Sequence, residues 1–317
     1  MRALTLLVML VAILGAWTWW QNPERVPLDD AARAQAPMSF VTLPDGITAF
    51  RLEGRESGPL VVLIHGYSYP SSLWSNTAAA LQAAGFRTLR YDLYGRGWSD
   101  RPPGRYDLDR FTQQLEALLD ALAPDTPVQI VGLSMGGLIA ADFARRHPQR
   151  VQRLALLAPF NTERTVLALQ LPLLGEAVAH VAYFPAQASL QAQSFHDPAL
   201  APQYLAGFTE QRVYKGYRRA LLSTLRNLIA RDPTPVYEAL GARSLPTLLL
   251  WGREDAVVPA AEAEPLLSRL GPSAQLQWVA DAGHLPQLEQ PGTTHEALLR
   301  FLRPSIRSTP FRQDPQR

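Results

Sequence analysis

The sequence predicts an α/β protein built on a mainly parallel, doubly wound sheet. Between residues 40 and 158, short apolar runs with strand character alternate with helical stretches, the rhythm of a parallel sheet covered on both faces. Runs such as Leu60 to Ile64 are apolar throughout rather than alternating, as expected of strands buried on both faces. With 317 residues, 47% of them hydrophobic, the chain is long enough to bury a large core, and no repeat of solenoid length is visible.

The elements follow in order. Ala3 to Trp20 carries no ionisable side chain. Eighteen helical residues span about 27 Å, against roughly 30 Å of bilayer hydrocarbon. The run ends in Trp17, Trp19 and Trp20, an aromatic cluster suited to a membrane interface. Residues 1–20 are therefore expected to form an uncleaved membrane anchor, with a signal segment as the alternative. A short N-terminus usually stays in the cytoplasm, which places the domain on the periplasmic or extracytoplasmic side. Residues 21–39, with three prolines, read as a tether.

Next, Ser39 to Gly54 gives two strands joined by a turn at Asp45-Gly46. Leu60 to Ile64 is a strand, Leu73 to Ala84 a helix ending at Gly85, Arg87 to Tyr91 a strand, and Leu108 to Leu122 a helix. Val128 to Val131 is the strand before a glycine-flanked serine, and Val151 to Leu157 the next. From Pro159 to Leu245 the alternation stops. That stretch is too long for a bare loop, and its leucine and alanine spacing is helical. Thr247 to Trp251 and the alternating run from Ala274 return to the sheet, and a last helix contains His295.

Composition narrows the function classes. The 30 basic and 28 acidic residues nearly balance, and no basic run with interleaved aromatics marks a nucleic-acid surface. The chain has no cysteine, which excludes disulfides, a thiol nucleophile and a zinc-thiolate site.

The chemistry centres on Gly132-Leu133-Ser134-Met135-Gly136, where a strand enters a helix. This is the setting in which a G-x-S-x-G elbow exposes a serine in a strained turn. A serine hydroxyl is a weak nucleophile at neutral pH, so a base must lie within reach, and a carboxylate must orient that base. Asp255 follows a strand that breaks at Gly252. His284 follows one that breaks at Asp281-Ala282-Gly283. All three groups sit beyond the carboxyl ends of strands, which share one edge of a parallel sheet. Glu254 and Asp281 are fallback acids. His65, His147, His180, His196 and His295 are read as non-catalytic, with His65 tying a loop together.

With "HGYSYPSSLW", "YDLYGRGWSD", "GLSMGG", "GREDAVVP" and "DAGHLPQLEQP" in this order, the chain resembles the α/β-hydrolase family from about Phe40 to Pro304. The resemblance implies about eight strands, with a core of residues 40–158 and 246–304. A helical cap, 159–245, is inserted between the sixth and seventh strands, and 305–317 form a tail. It implies Ser134 as nucleophile, Asp255 as orienting acid and His284 as general base, with an oxyanion hole from the backbone N–H groups of Tyr67 and Met135. Asp92 and the glycine loop after it match a motif of architectural role. In the cap, Phe160, Leu171, Leu173, Leu174, Phe184, Phe195 and Tyr204 are candidates to line an acyl pocket, against the alternative that they pack the cap onto the core.

The expected activity is hydrolysis of carboxylic esters, lipid-like or of short to medium acyl length, on an amphiphilic small molecule, with no metal or organic cofactor required. Carbon–carbon bond hydrolysis, perhydrolysis, acyl transfer and aminopeptidase chemistry use the same triad and stay open, as does a ligand-binding sensor that retains the fold.

Overall fold

The structure, a computed structural model, describes residues 22–303 other than 172, with four separate positions (5, 9, 15 and 20) before them. The expected anchor, apart from those four positions, and the tail 305–317 lie outside the described residues. Among the described residues no helix is long and apolar enough to cross a membrane.

Eight strands form one sheet: β1 (Ser39–Leu43), β2 (Gly46–Gly54), β3 (Leu60–Ile64), β4 (Arg87–Tyr91), β5 (Val128–Leu133), β6 (Val151–Leu157), β7 (Thr247–Gly252) and β8 (Ala274–Val279). Their spatial order is β1-β2-β4-β3-β5-β6-β7-β8. β2 is antiparallel to both β1 and β4, and every other pair is parallel. From β3 the chain steps one way to β4, then crosses back to place β5 on the other side of β3. The loops leaving β3 and β5 therefore diverge, and they open a crevice at the carboxyl edge.

The fully apolar strands are explained by two-sided burial. Val62, Ile64, Ile130, Leu249 and Trp251 face one core, while Val61, Leu63, Val131, Leu248 and Leu250 face the other. Apart from short turns, the principal helices are α1 (Ser75–Ala83), α2 (Leu108–Leu122), α3 (Met135–Arg146), α4 (Phe184–Ala192), α5 (Ala201–Glu210), α6 (Tyr217–Thr224), α7 (Thr234–Gly241), α8 (Ala263–Leu270) and α9 (Pro291–Leu302). Helices α2, α3, α7 and α8 cover the first core, and α1 and α9 the second. Asp107 caps α2 by accepting the Arg110 N–H at 3.0 Å.

Helices α4 to α6, with the turns before them, roof the carboxyl edge between β6 and β7. Helix α6 runs on through a π-turn, Leu225–Ile229. Although α7 falls within the stretch expected to be cap, Val236, Tyr237 and Leu240 belong to the first core, and Tyr237 Oη donates to the Phe160 carbonyl at 2.7 Å.

The stretch read as a tether is docked along its length rather than free. The N–H groups of Arg25 and Val26 donate to the Val213 carbonyl, and Lys215 N–H donates to that of Val26. The Glu24 carboxylate accepts the N–H groups of Gly216 and Arg218 at the start of α6, and Arg33 pairs with Asp100 of the core. A proline- and alanine-rich composition signals a linker only when nothing receives it. Here the cap edge and one carboxylate do.

Candidate active site

The turn between β5 and α3 holds Ser134 at φ 53° and ψ −122°, a left-handed conformation that costs a non-glycine residue on the order of 1–3 kcal/mol. Its neighbours permit this. A Cβ on Gly132 would fall 2.5 Å from the Gly136 carbonyl oxygen, and one on Gly136 would fall 2.5 Å from that of His65. The turn is held on both sides: Ser134 N–H donates to Leu157 O at 2.9 Å, and Phe160 N–H donates to Ser134 O at 3.0 Å. Ser134 is thereby lifted above the sheet at the N-terminus of α3, where orphan N–H groups and the helix dipole favour negative charge. Met135, the first residue of α3, carries one of those groups.

Asp255 and His284 arrive from the ends of β7 and β8. His284 Nδ1 lies 2.9 Å from Asp255 Oδ2. A carboxylate only accepts, so the imidazole proton sits on Nδ1 and the Nε2 lone pair is left free. The other carboxylate oxygen, Oδ1, accepts N–H bonds from Val257 at 2.8 Å and Val258 at 2.9 Å. Both side chains are buried. Ser134, His284, Gly66, Tyr67 and Leu133 line one cavity of about 100 Å³, with Tyr69, Leu73, Gln191, Ser194, Val257 and Leu285 completing its walls.

The loop after β3 passes over Ser134: a Cβ on Gly66 would lie 3.3 Å from the Ser134 Cβ. Buried His65 fixes this loop. Its Nε2 accepts Leu93 N–H at 2.9 Å, so its Nδ1 carries the proton and donates to Gly66 O at 2.8 Å. Burial lowers its pKa to about 3 and keeps it neutral. Asp92 plays the expected architectural part, accepting N–H bonds from Ser71 at 2.7 Å and Trp98 at 2.8 Å.

The remaining candidates lie elsewhere. Glu254 accepts Ala282 N–H and shapes the turn before His284; Asp281 occupies that turn at φ 52°. His147 packs against Phe143 with the rings tilted, His180 bonds back to the Glu176 carbonyl and His295 meets Thr77, while exposed His196 engages Glu289 through its backbone N–H. None of the seven acyl-pocket candidates lines the catalytic cavity. Phe160, Phe184 and Phe195 are buried in packing, Tyr204 stacks on Phe195, and Leu171, Leu173 and Leu174 are exposed. Helical spacing marks apolar positions in a cap but does not say whether they face the core, the cavity or solvent.

Two site-supporting residues escaped the sequence reading. Glu289 accepts N–H bonds from Gly283, His196 and Asp197, and His284 N–H donates to Ser194 O, so the histidine loop is sewn to the cap. Buried Arg96 bonds the carbonyl of Tyr67. The motif letters contain both residues, but their partners are distant in sequence.

A serine at a strained strand–helix elbow, facing a carboxylate-oriented histidine across one cavity, on this sheet order, defines a class. The chain belongs to the alpha/beta hydrolase fold family, whose sequence model matches residues 59–291. It is 34% identical over 255 residues to the pimeloyl-[acyl-carrier protein] methyl ester esterase of Aromatoleum aromaticum, covering 74% of this chain and 94% of that one. It is 30% identical over 280 residues to a 2-hydroxy-6-oxononadienedioate/2-hydroxy-6-oxononatrienedioate hydrolase of Cupriavidus pinatubonensis, covering 83% and 94%. Among solved structures, a hydrolase from Pseudomonas aeruginosa superposes with a TM-score of 0.72 at 28% identity, over 85% of this chain and all of the other.

Proposed function

We propose that this hydrolase cleaves carboxylic esters through an acyl-enzyme on Ser134. The observation that carries the proposal is the Asp255–His284 hydrogen bond, which leaves the free Nε2 of a histidine lining the same cavity as Ser134. Ser134 Oγ attacks the ester carbonyl as His284 takes its proton. The negative oxygen is held by the N–H groups of Tyr67 and Met135. The intermediate collapses as His284 returns the proton to the departing alcohol. Water, activated by the same imidazole, then releases the acid.

At about 100 Å³ the cavity is small for a ligand site, which favours a short acyl group, acetyl to butyryl. The methyl ester esterase relative supports ester cleavage, while the dienedioate hydrolase relative keeps carbon–carbon cleavage as the second reading. An amphiphilic alcohol part is favoured by the cap segment 165–175, which carries no charged residue and exposes Val166, Leu167, Leu171, Leu173 and Leu174. It is also favoured by the apolar run at residues 3–20, which we propose anchors the enzyme with its domain on the extracytoplasmic side. An enzyme held there meets amphiphiles at raised local concentration.

Hydrolysis of p-nitrophenyl esters from acetyl to palmitoyl by the full chain in detergent, alongside Ser134→Ala, tests the reading. Serine-dependent turnover with an optimum at acetyl to butyryl is expected. Absence of turnover on every ester overturns it.

A further inference from the structure

We propose that Arg96 is a positioning residue for the oxyanion hole, linking the backbone that carries the Tyr67 N–H to cap helix α6. This inference rests on the reading of Tyr67 as an oxyanion donor.

Three consecutive carbonyls in the loop over Ser134 are each held by a side chain. Gly66 O accepts from His65 Nδ1 at 2.8 Å, Tyr67 O from Arg96 Nε at 2.7 Å, and Ser68 O from Gln211 Nε2 at 2.6 Å. In a trans peptide the C=O and the following N–H share a plane and point opposite ways. The His65 bond therefore sets the plane that contains the Tyr67 N–H. The Arg96 bond fixes the next plane, and the two together fix the backbone at Tyr67. His65 does its part within the core alone. Arg96 does not.

Arg96 is fully buried, and its other two arms lead elsewhere: Nη1 donates to Tyr94 O at 3.0 Å and Nη2 to Thr224 Oγ1 at 2.9 Å. Thr224 lies on α6 and its own hydroxyl donates to Ala220 O at 2.8 Å, so a lone pair faces the guanidinium. The acceptors of all three arms are neutral, and the cation lies near the rings of Tyr67 and Phe111, at 5.5 and 5.2 Å from their centroids. A buried cation needs every one of these bonds, because an arm left unpaired in the interior is costly. The guanidinium fork is rigid, so the position of Thr224 is transmitted to Tyr67 O.

The side chain of Tyr67 leads to the same helix. Its hydroxyl donates to Leu221 O at 3.1 Å and accepts from Tyr183 of the cap at 3.1 Å. The oxyanion residue is thus fastened to α6 directly and through Arg96. A cap lifted from the core would remove the Nη2 acceptor and the Leu221 carbonyl together.

The test compares the full-length chain with Arg96→Lys, Thr224→Val and Thr224→Ser. It reads kcat and KM on a short-chain ester, the rate at which a fluorophosphonate labels Ser134, and the thermal midpoint. Loss of one oxyanion donor lowers kcat about 10²–10³-fold. Arg96→Lys, which retains charge but not the fork, should lose at least tenfold in kcat and in labelling rate, with KM within about threefold. Thr224→Val should lose several-fold, and Thr224→Ser, which restores the acceptor, should recover to within about twofold. Equal labelling and kcat in a folded Arg96→Lys overturns the inference, and so does a loss confined to KM. If Arg96→Lys does not fold, Thr224→Val decides: unchanged kcat overturns the inference. A wild-type chain that the fluorophosphonate fails to label overturns the ester reading, and this inference with it. A wild type that is labelled, with variants labelled equally fast, overturns this inference alone.

Discussion

His284 and Asp255 meet through a 2.9 Å hydrogen bond between Nδ1 and Oδ2, while the second oxygen of the same carboxylate is occupied by the N–H groups of Val257 and Val258. The carboxylate is thus fixed from one side and presents a single oxygen to the imidazole. Asp255→Asn keeps the size but can offer Nδ1 a donor, which favours the wrong tautomer. In a related triad this change costs about 10⁴ in kcat. The same order of loss is expected here, with KM little changed. Glu254→Gln, which alters the neighbouring fallback acid, should stay within a few-fold of wild type in steady-state assays. A larger loss in Glu254→Gln than in Asp255→Asn would reassign the acid.

Two glycines of the site should fail differently on substitution. A Cβ on Gly136 meets the carbonyl oxygens of Ile64 and His65, which are backbone and cannot swing away. Gly136→Ala should destabilise the fold by roughly 1–3 kcal/mol or more, read by denaturant unfolding. A Cβ on Gly66 meets nothing closer than the Ser134 Cβ at 3.3 Å, with the Leu133 carbonyl oxygen at 3.6 Å and Ser134 Oγ at 3.9 Å, the last two in ordinary contact. Gly66→Ala should keep most of its stability and lose activity.

The neutral, buried His65 makes stability depend on pH. Its folded pKa of about 3 lies below the unfolded value of about 6.5, so below pH 6.5 the unfolded chain binds a proton that the folded one does not. This contribution is complete above pH 6.5 and is lost as pH falls toward 3. In His65→Gln, the slope of unfolding free energy against pH should be shallower across that window. An unchanged slope would contradict the assignment.

The strap before β1 should hold the cap. Glu24 accepts two N–H groups at the start of α6, a favourable place for a carboxylate near a helix N-terminus. Glu24→Ala should cost about 1 kcal/mol. A chain beginning at residue 37 should melt below one beginning at residue 22. Equal melting temperatures would show that the strap contributes nothing.

The candidate set Ser134, Asp255 and His284 was legible because each follows the end of a strand, and strand ends carry local marks: the break at Gly252 before Asp255, the break at Gly283 before His284, and the glycines around Ser134. The cap was legible as a departure from the strand–helix rhythm. What stayed hidden were bonds between segments far apart in the chain. Arg96 lies 128 residues from Thr224, and Glu24 lies 194 from Arg218. Nothing local distinguishes an arginine that turns inward from one that stays in solvent. For the same reason the exposed leucines at 171, 173 and 174 read as pocket candidates: apolar character fixes a preference for burial, and the partner surface decides whether it is met.

The proposed reaction requires covalent chemistry at Ser134. The most direct measurement is mass spectrometry of the acid-quenched enzyme during turnover of p-nitrophenyl acetate, with peptide mapping and with Ser134→Ala as control. One acetyl group is expected on the peptide carrying Ser134, accumulating in a burst and absent from the variant. Ester turnover with no acyl adduct on that peptide, or an equal adduct in Ser134→Ala, would contradict it.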